Sequence, residues 1–269
     1  MNIYSLPVIV TTVTSSILGI FVYVRGKGLR PNRIWAALSF VIALWSFAIV
    51  MIMNAPNERV AYWAARLIYF GAIPIPAVFL HFITVYVQSI RKRKSMVILA
   101  YVITGLFLAL NCTDLLVVNV KSQKVFRYFG IPGKAYLLFL VTWFMMLLQC
   151  FIELLRSYKQ SVTIQRNQIR YLIVASVIGF AGGSTAFLPA LNLDYAPYGH
   201  YFVVLYTFII AYAIVKHRMM DISFVIKKGV IYAYASLLLL IPLTALIIGL
   251  QKYFFGKINW PFSICIFCI

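Results

Sequence analysis

The sequence predicts an all-α fold: a polytopic transmembrane helical bundle with a seven-helix core and at least one further helix. Three observations carry that prediction. Of 269 residues, 64% are hydrophobic and only 11% charged, with mean hydropathy +0.95. Apolar stretches of roughly 20 residues recur along the chain, the length that crosses a hydrocarbon layer about 30 Å thick. Clusters of Lys and Arg punctuate them at Arg25–Arg33, Arg91–Lys94, Arg156–Arg170 and Lys216–Lys228. A soluble chain has no physical reason to alternate in this way, whereas a chain threaded through a bilayer does.

Taken in order, residues 3–24 form the first span; they are too long for the apolar part of a cleavable signal, and no basic segment precedes them. Spans follow at 34–53 and 60–88, the latter long enough to tilt or kink, with Pro74 and Pro76 in its middle. The fourth span is expected at 96–118. A loop over about 111–135 comes next, in which Val117–Val120 and Val125–Tyr128 are expected to pair as a small hairpin. The fifth and sixth spans are expected at 136–155 and 171–192. The seventh, at 200–215, is short unless its helix begins near Pro197, a residue suited to a first turn. An eighth is expected at 230–250, followed by an apolar run from Asn259 about half the length a span needs. The expected division is therefore 1–228 as the seven-helix module and 229–269 as a further helix with an incomplete apolar run.

Charge sets the orientation. The loops after the first, third, fifth and seventh spans carry four Lys or Arg each. The opposite loops carry seven in all: Arg59, Lys121, Lys124, Arg127, Lys134, Lys252 and Lys257. The heavier side is cytoplasmic, which places the N-terminus outside the cell membrane. The excess of 24 basic over five acidic residues sits in short loops beside apolar helices, where anionic lipids are the natural partner and nucleic acid is not. The four cysteines show no metal spacing, and the Cys265/Cys268 pair lies in an apolar run without His or acidic neighbours, so packed thiols are expected.

Ionisable groups inside the spans are few, and each is costly in the bilayer core. Arg66 lies in the outer third of the third span, with Tyr62 and Tyr69 on the same helical face at i−4 and i+3. One reading is an outward-open polar cavity in which Arg66 meets an anionic ligand group; the other is an arginine that snorkels or bonds between helices. The loop before the seventh span adds Asp194, Tyr195, Tyr198 and His200 to this candidate ligand pocket. His81 is either a proton-sensitive switch or, as is commoner, a bond to a neighbouring helix. Glu153 is expected to pair with Arg156 or a loop base in a structural role. Pro74, Pro76, Gly182 and Gly183 are candidate hinge points, and Gly182–Gly183 also admits a close helix neighbour. Neither HExxH, GxSxG nor a pair of carboxylates on one face occurs, so no catalytic residues, metal site or cofactor are expected.

The stretch Ile209–Lys228, reading IIAYAIVKHRMMDISFVIKK, resembles the exit of the seventh helix in the seven-transmembrane region at the N-terminus of many bacterial sensor histidine kinases. There a YAI-x-[KR]-H-R-[LM]-M-D-I run leaves the membrane. Trp63–Tyr86 is similar to that region's third helix, and Leu188–Gly199 to its outer loop before helix seven. The similarity covers residues 1 to about 228 and is most specific at Ala211–Ile222.

The resemblance implies a membrane-embedded, signal-sensing input region of a two-component sensor histidine kinase, with its cytoplasmic catalytic core absent from this chain, which therefore reads as a truncated receptor and not an enzyme. It implies His217, Arg218 and Asp221 as the signal exit. It also implies an extracytoplasmic or membrane-borne ligand, a homodimer, and a kinase output domain as partner, with a diguanylate cyclase output as an alternative. A small transporter or permease subunit is the rival class. That class usually shows inverted repeats and paired broken helices, and this sequence shows no matching halves.

Overall fold

Eight α-helices, a two-stranded hairpin and one 3-10 segment make up the described residues of the structure, a computed structural model that describes residues 5–26, 28–122, 126–191 and 198–216. The helices are α1 (Ser5–Arg25), α2 (Arg30–Met53), α3 (Glu58–Ala72), α4 (Ile75–Tyr86), α5 (Ile90–Asn111), α6 (Tyr136–Gln160), α7 (Thr163–Ser184) and α8 (Gly199–Lys216). Strands β1 (Val117–Lys121) and β2 (Phe129–Pro132) lie between α5 and α6, and the 3-10 segment Thr185–Leu191 follows α7. Because α3 and α4 run on as Glu58–Tyr86, six segments are long and apolar enough to span a membrane, and the shorter α8 is the seventh. The fold is thus an all-α polytopic bundle. The expected helix at 230–250 and the whole 229–269 region lie outside the described residues.

The helices close into a ring, α8 returning to pack on α1, with α3–α4 toward the middle and α5 toward the edge. Burial follows this order: 78% of the α3–α4 span is buried inside the protein against 28% of α5. Outward positions are apolar rather than polar. Leu137, Leu138 and Val141 on α6, Val102 and Leu106 on α5, and Ile17 and Ile20 on α1 are each more than half exposed. Such a continuous apolar surface is stable only against lipid.

Helix α3 starts where Asn57 accepts a hydrogen bond from the Val60 amide at 3.0 Å, with Glu58 in the first turn to favour the dipole. It breaks before Pro74, as the two prolines predict. Pro76 has no N–H to offer the carbonyl of Ala72 four residues back. The indole Nε1 of Trp143 on α6 donates to that oxygen at 2.9 Å, so the kink is packed and hydrogen-bonded rather than loose. Gly71, just before it, lets α2 approach: a Cβ there would stand 2.6 Å from the Trp45 backbone.

Two boundaries differ from the sequence expectation. The fourth span does not reach residue 118: α5 stops at Asn111, whose side chain turns back to donate to the Arg66 carbonyl, and the apolar Val117 begins a strand. The hairpin exists, but its second strand is Phe129–Pro132, not Val125–Tyr128. Pairing of Lys121 with Phe129 leaves a longer connection, and Phe126 and Phe129 are buried against the bundle. The hairpin therefore caps one end of the bundle, on α3 and the 3-10 segment.

The other end is basic. Helices also run beyond their apolar spans there: Arg30 and Arg33 open α2, Arg91–Lys94 open α5, and Arg166 and Arg170 lie in the first two turns of α7. Cations at helix N-termini oppose the macrodipole, by some tenths of a kcal/mol each. Helix stability therefore does not explain their placement, whereas a membrane-side requirement does.

Candidate functional site

At the hairpin end, α3 supplies Arg66, whose side chain is 7% exposed. Its Nη1 donates to the Asn111 carbonyl at 2.6 Å. Its Nη2 donates to the Tyr62 hydroxyl and to Asp114 Oδ1, the latter at 2.9 Å, and lies 3.5 Å from the Val117 carbonyl. The Tyr62 ring lies 4.8 Å from the guanidinium carbon. Arg66 thus ties α3 to the end of α5 and to β1, and its charge is met within the chain by Asp114, itself 74% exposed. An anionic ligand group would have to displace that carboxylate.

Among the described residues, the expected pocket side chains Tyr69 and His200 make their ring contacts away from Arg66. Tyr69 is buried and set edge-on to the rings of Tyr136 and Phe139. His200, in the first turn of α8, is 2% exposed and packs against Trp45 of α2, ring centroids 5.6 Å apart. Tyr198 is half exposed. Asp194 and Tyr195 lie outside the described residues, as do the exit residues His217, Arg218 and Asp221.

Two small, partly open cavities flank the Trp45–His200 contact. One, of about 20 Å³, lies under the hairpin between Ile52, Ile68, Phe126, Phe129, Pro189 and His200. The other, of about 40 Å³, lies deeper between Trp45, Ala72, Trp143, Phe180, Gly183 and Tyr206. Gly182 and Gly183 stand at this level for different reasons. A Cβ at Gly182 would collide with the carbonyl of Gly199, so that glycine allows α7 and α8 to touch. At Gly183 the nearest atoms are at 3.6 and 3.7 Å, which is ordinary contact.

At the basic end, Glu153 on α6 is buried and bonded to Arg93 of α5 at 2.8 Å and to Arg156 at 3.3 Å. This is the structural pairing expected for it, with Arg93 as the loop base. His81 bonds the Tyr101 hydroxyl of α5 through Nδ1 at 3.0 Å, the interhelical arrangement. Among the described residues, no three His, Cys, Asp or Glu side chains come together as a metal group.

Sequence reasoning missed Trp45, Asn111 and the role of Asp114. Asp114 carried a usable signal, being one of only five acids and near the outer end of the neighbouring span. Trp45 carried none, because a tryptophan in an apolar run looks the same whether it faces lipid, core or cavity.

No curated protein and no solved structure matches the chain. A family model does: the one described as the N-terminal 7TM region of histidine kinase matches residues 7–223. That stretch contains every helix described above, the Arg66 clamp, both cavities and the start of the exit segment. The matched family is the N-terminal membrane region and not the catalytic kinase domain. The chain belongs to the family of N-terminal seven-transmembrane regions of histidine kinases.

Proposed function

We propose that this chain is the input module of a two-component histidine kinase, with the hairpin end outside the cell and the basic end on the cytoplasmic side. The basic end rests on anionic inner-leaflet lipids, each Lys or Arg contributing about 1 kcal/mol at such a surface. A ligand or membrane signal acts at the hairpin end. Its effect leaves through α8 and the segment carrying His217, Arg218 and Asp221 to a kinase core, within a homodimer. The kink at Pro74 and Pro76 and the contact at Gly182 are the places where two packings can differ.

The observation that carries this reading is the course of α8. Its first turn places His200 at the hairpin-side cavity, and its last described residue, Lys216, stands at the basic end. A single helix thus links the two faces, and a rigid helix transmits both translation and rotation. Two-state coupling follows once a ligand prefers one packing over the other.

The test joins the full chain in frame to a histidine kinase core, in liposomes, and measures autophosphorylation. Inserting one to four alanines after Lys216 should change the rate with the helical period of about 3.6 residues. A rate indifferent to these insertions contradicts transmission through α8. Solute flux through the same liposomes, with no change in phosphorylation, would instead establish the carrier class.

A further inference from the structure

Two buried polar side chains, Trp45 and His200, meet where the two cavities approach each other. The Trp45 Nε1 donor is buried and, among the described residues, unpaired, on a residue 4% exposed. The His200 ring, 2% exposed, packs against Trp45. A buried donor left unsatisfied costs about 1–3 kcal/mol, so the Trp45 N–H on a cavity-lining residue calls for an explanation. Each of the two residues lines one cavity, Trp45 the deeper and His200 the one under the hairpin.

We infer that the two cavities form one ligand site with Trp45 and His200 at its waist, taking a small, uncharged, mainly apolar molecule that carries one hydrogen-bond acceptor oxygen. This inference rests on the input-module reading and names the ligand class that reading leaves open. The charge state follows from the walls: among the described residues, no Lys, Arg, Asp or Glu lines either cavity. Arg66, the cation nearest in character to an anion site, is already held by Asp114. The polar handle follows from the indole N–H, which can only donate, and from an imidazole that can complete the pairing.

Size excludes lipid. Cavities of about 40 and 20 Å³ admit a short ligand, not an acyl chain. Filling them from the waist presses on the first turn of α8 and on the 3-10 segment at Pro189. Ligand occupancy therefore favours a packing in which α8 has moved relative to α2, which is the differential interaction that signalling requires.

The probe is a diazirine-bearing pentanol, photolysed with the full chain in nanodiscs and mapped by mass spectrometry. Adducts should concentrate on the cavity walls, Trp45, Phe187, His200 and Tyr206 among them. Excess 2-pentanone should suppress them at least fivefold, and pentanoate should not. Gly183→Ala puts a methyl into the deeper cavity without a clash, so it should lower labelling several-fold while the unfolding midpoint holds. His200→Phe should do the same by removing the polar group. Adducts spread evenly over the lipid-facing helices, or equal competition by pentanoate, overturn the site. Labelled cavity walls with a fused kinase core indifferent to pentanol uphold the site and contradict the signalling reading instead.

Discussion

Each end of the bundle holds one charge cluster, and the two are built in opposite senses. At the hairpin end the buried partner is the cation: Arg66 is 7% exposed and Asp114 74%. At the basic end the buried partner is the anion: Glu153 is 5% exposed, with Arg93 at 36% and Arg156 at 57%. Both clusters fasten α5, one to α3 and the other to α6. The side chain brought inward is, at each end, the sign that is scarcer in the local surroundings or better supplied with backbone acceptors. Arg66 has the Asn111 and Val117 carbonyls in addition to Asp114, whereas Glu153 depends on arginines alone. The cost of losing a buried charge's partner far exceeds the worth of an exposed pair, and this asymmetry orders the expected effects.

The largest is Arg66→Ala, which strips the guanidinium from four oxygens at once and separates α3 from α5 and the hairpin. About 3 kcal/mol of stability should be lost, because the Asn111 and Val117 carbonyls lose their donor, seen as an earlier unfolding midpoint in mixed micelles. Asp114→Asn should cost only about 1 kcal/mol, because the guanidinium keeps its carbonyl acceptors. If the two variants are equally damaging, the charge pair and not the carbonyl set holds this end.

Next comes the double change Arg93→Ala with Arg156→Ala, which leaves Glu153 buried and unpaired. It should cost about 2 kcal/mol, more than Glu153→Gln at about 1 kcal/mol, which leaves only solvated arginines behind. Glu153→Gln should also leave the response of a fused kinase core intact, since the pair is structural. Arg156→Ala alone, at the longer distance and the greater exposure, should shift stability by about 0.3 kcal/mol.

Between the two ends, the kink offers a double-mutant cycle. Trp143→Phe should cost about 1 kcal/mol where Pro76 is present, because it orphans the Ala72 carbonyl. In the Pro76→Ala background an amide at position 76 can take that carbonyl, and the same change should cost less than half as much. Equal costs in both backgrounds would separate the tryptophan from the proline.

Much of this was legible in the sequence. Spans, the kink and the basic side follow from hydropathy, from proline's missing N–H and from the count of Lys and Arg, all local properties. Ile209–Lys228 carried the family resemblance even though residues 217–228 lie outside the described structure. The partners were less legible. Hydropathy registers which solvent a residue prefers, not which side chain it meets, so of three residues on one face Tyr62 joins Arg66 while Tyr69 packs against Tyr136 and Phe139. Apolar Val117 looked like the end of a span because a short strand packed on the bundle is as hydrophobic as a helix in lipid. The waist at Trp45 and His200 joins residues far apart in the chain, and nothing in either segment announces the other.

The central claim is that the hairpin end receives and the basic end delivers, and it rests on which end faces outward. Cys112 is exposed at the hairpin end and Cys150 is buried. Intact cells carrying the chain with Cys265→Ser and Cys268→Ser, treated with a membrane-impermeant maleimide, should therefore give labelled protein, and adding Cys112→Ser should abolish the label. Labelling of Cys112 only after the membrane is opened would place the hairpin in the cytoplasm and contradict the account.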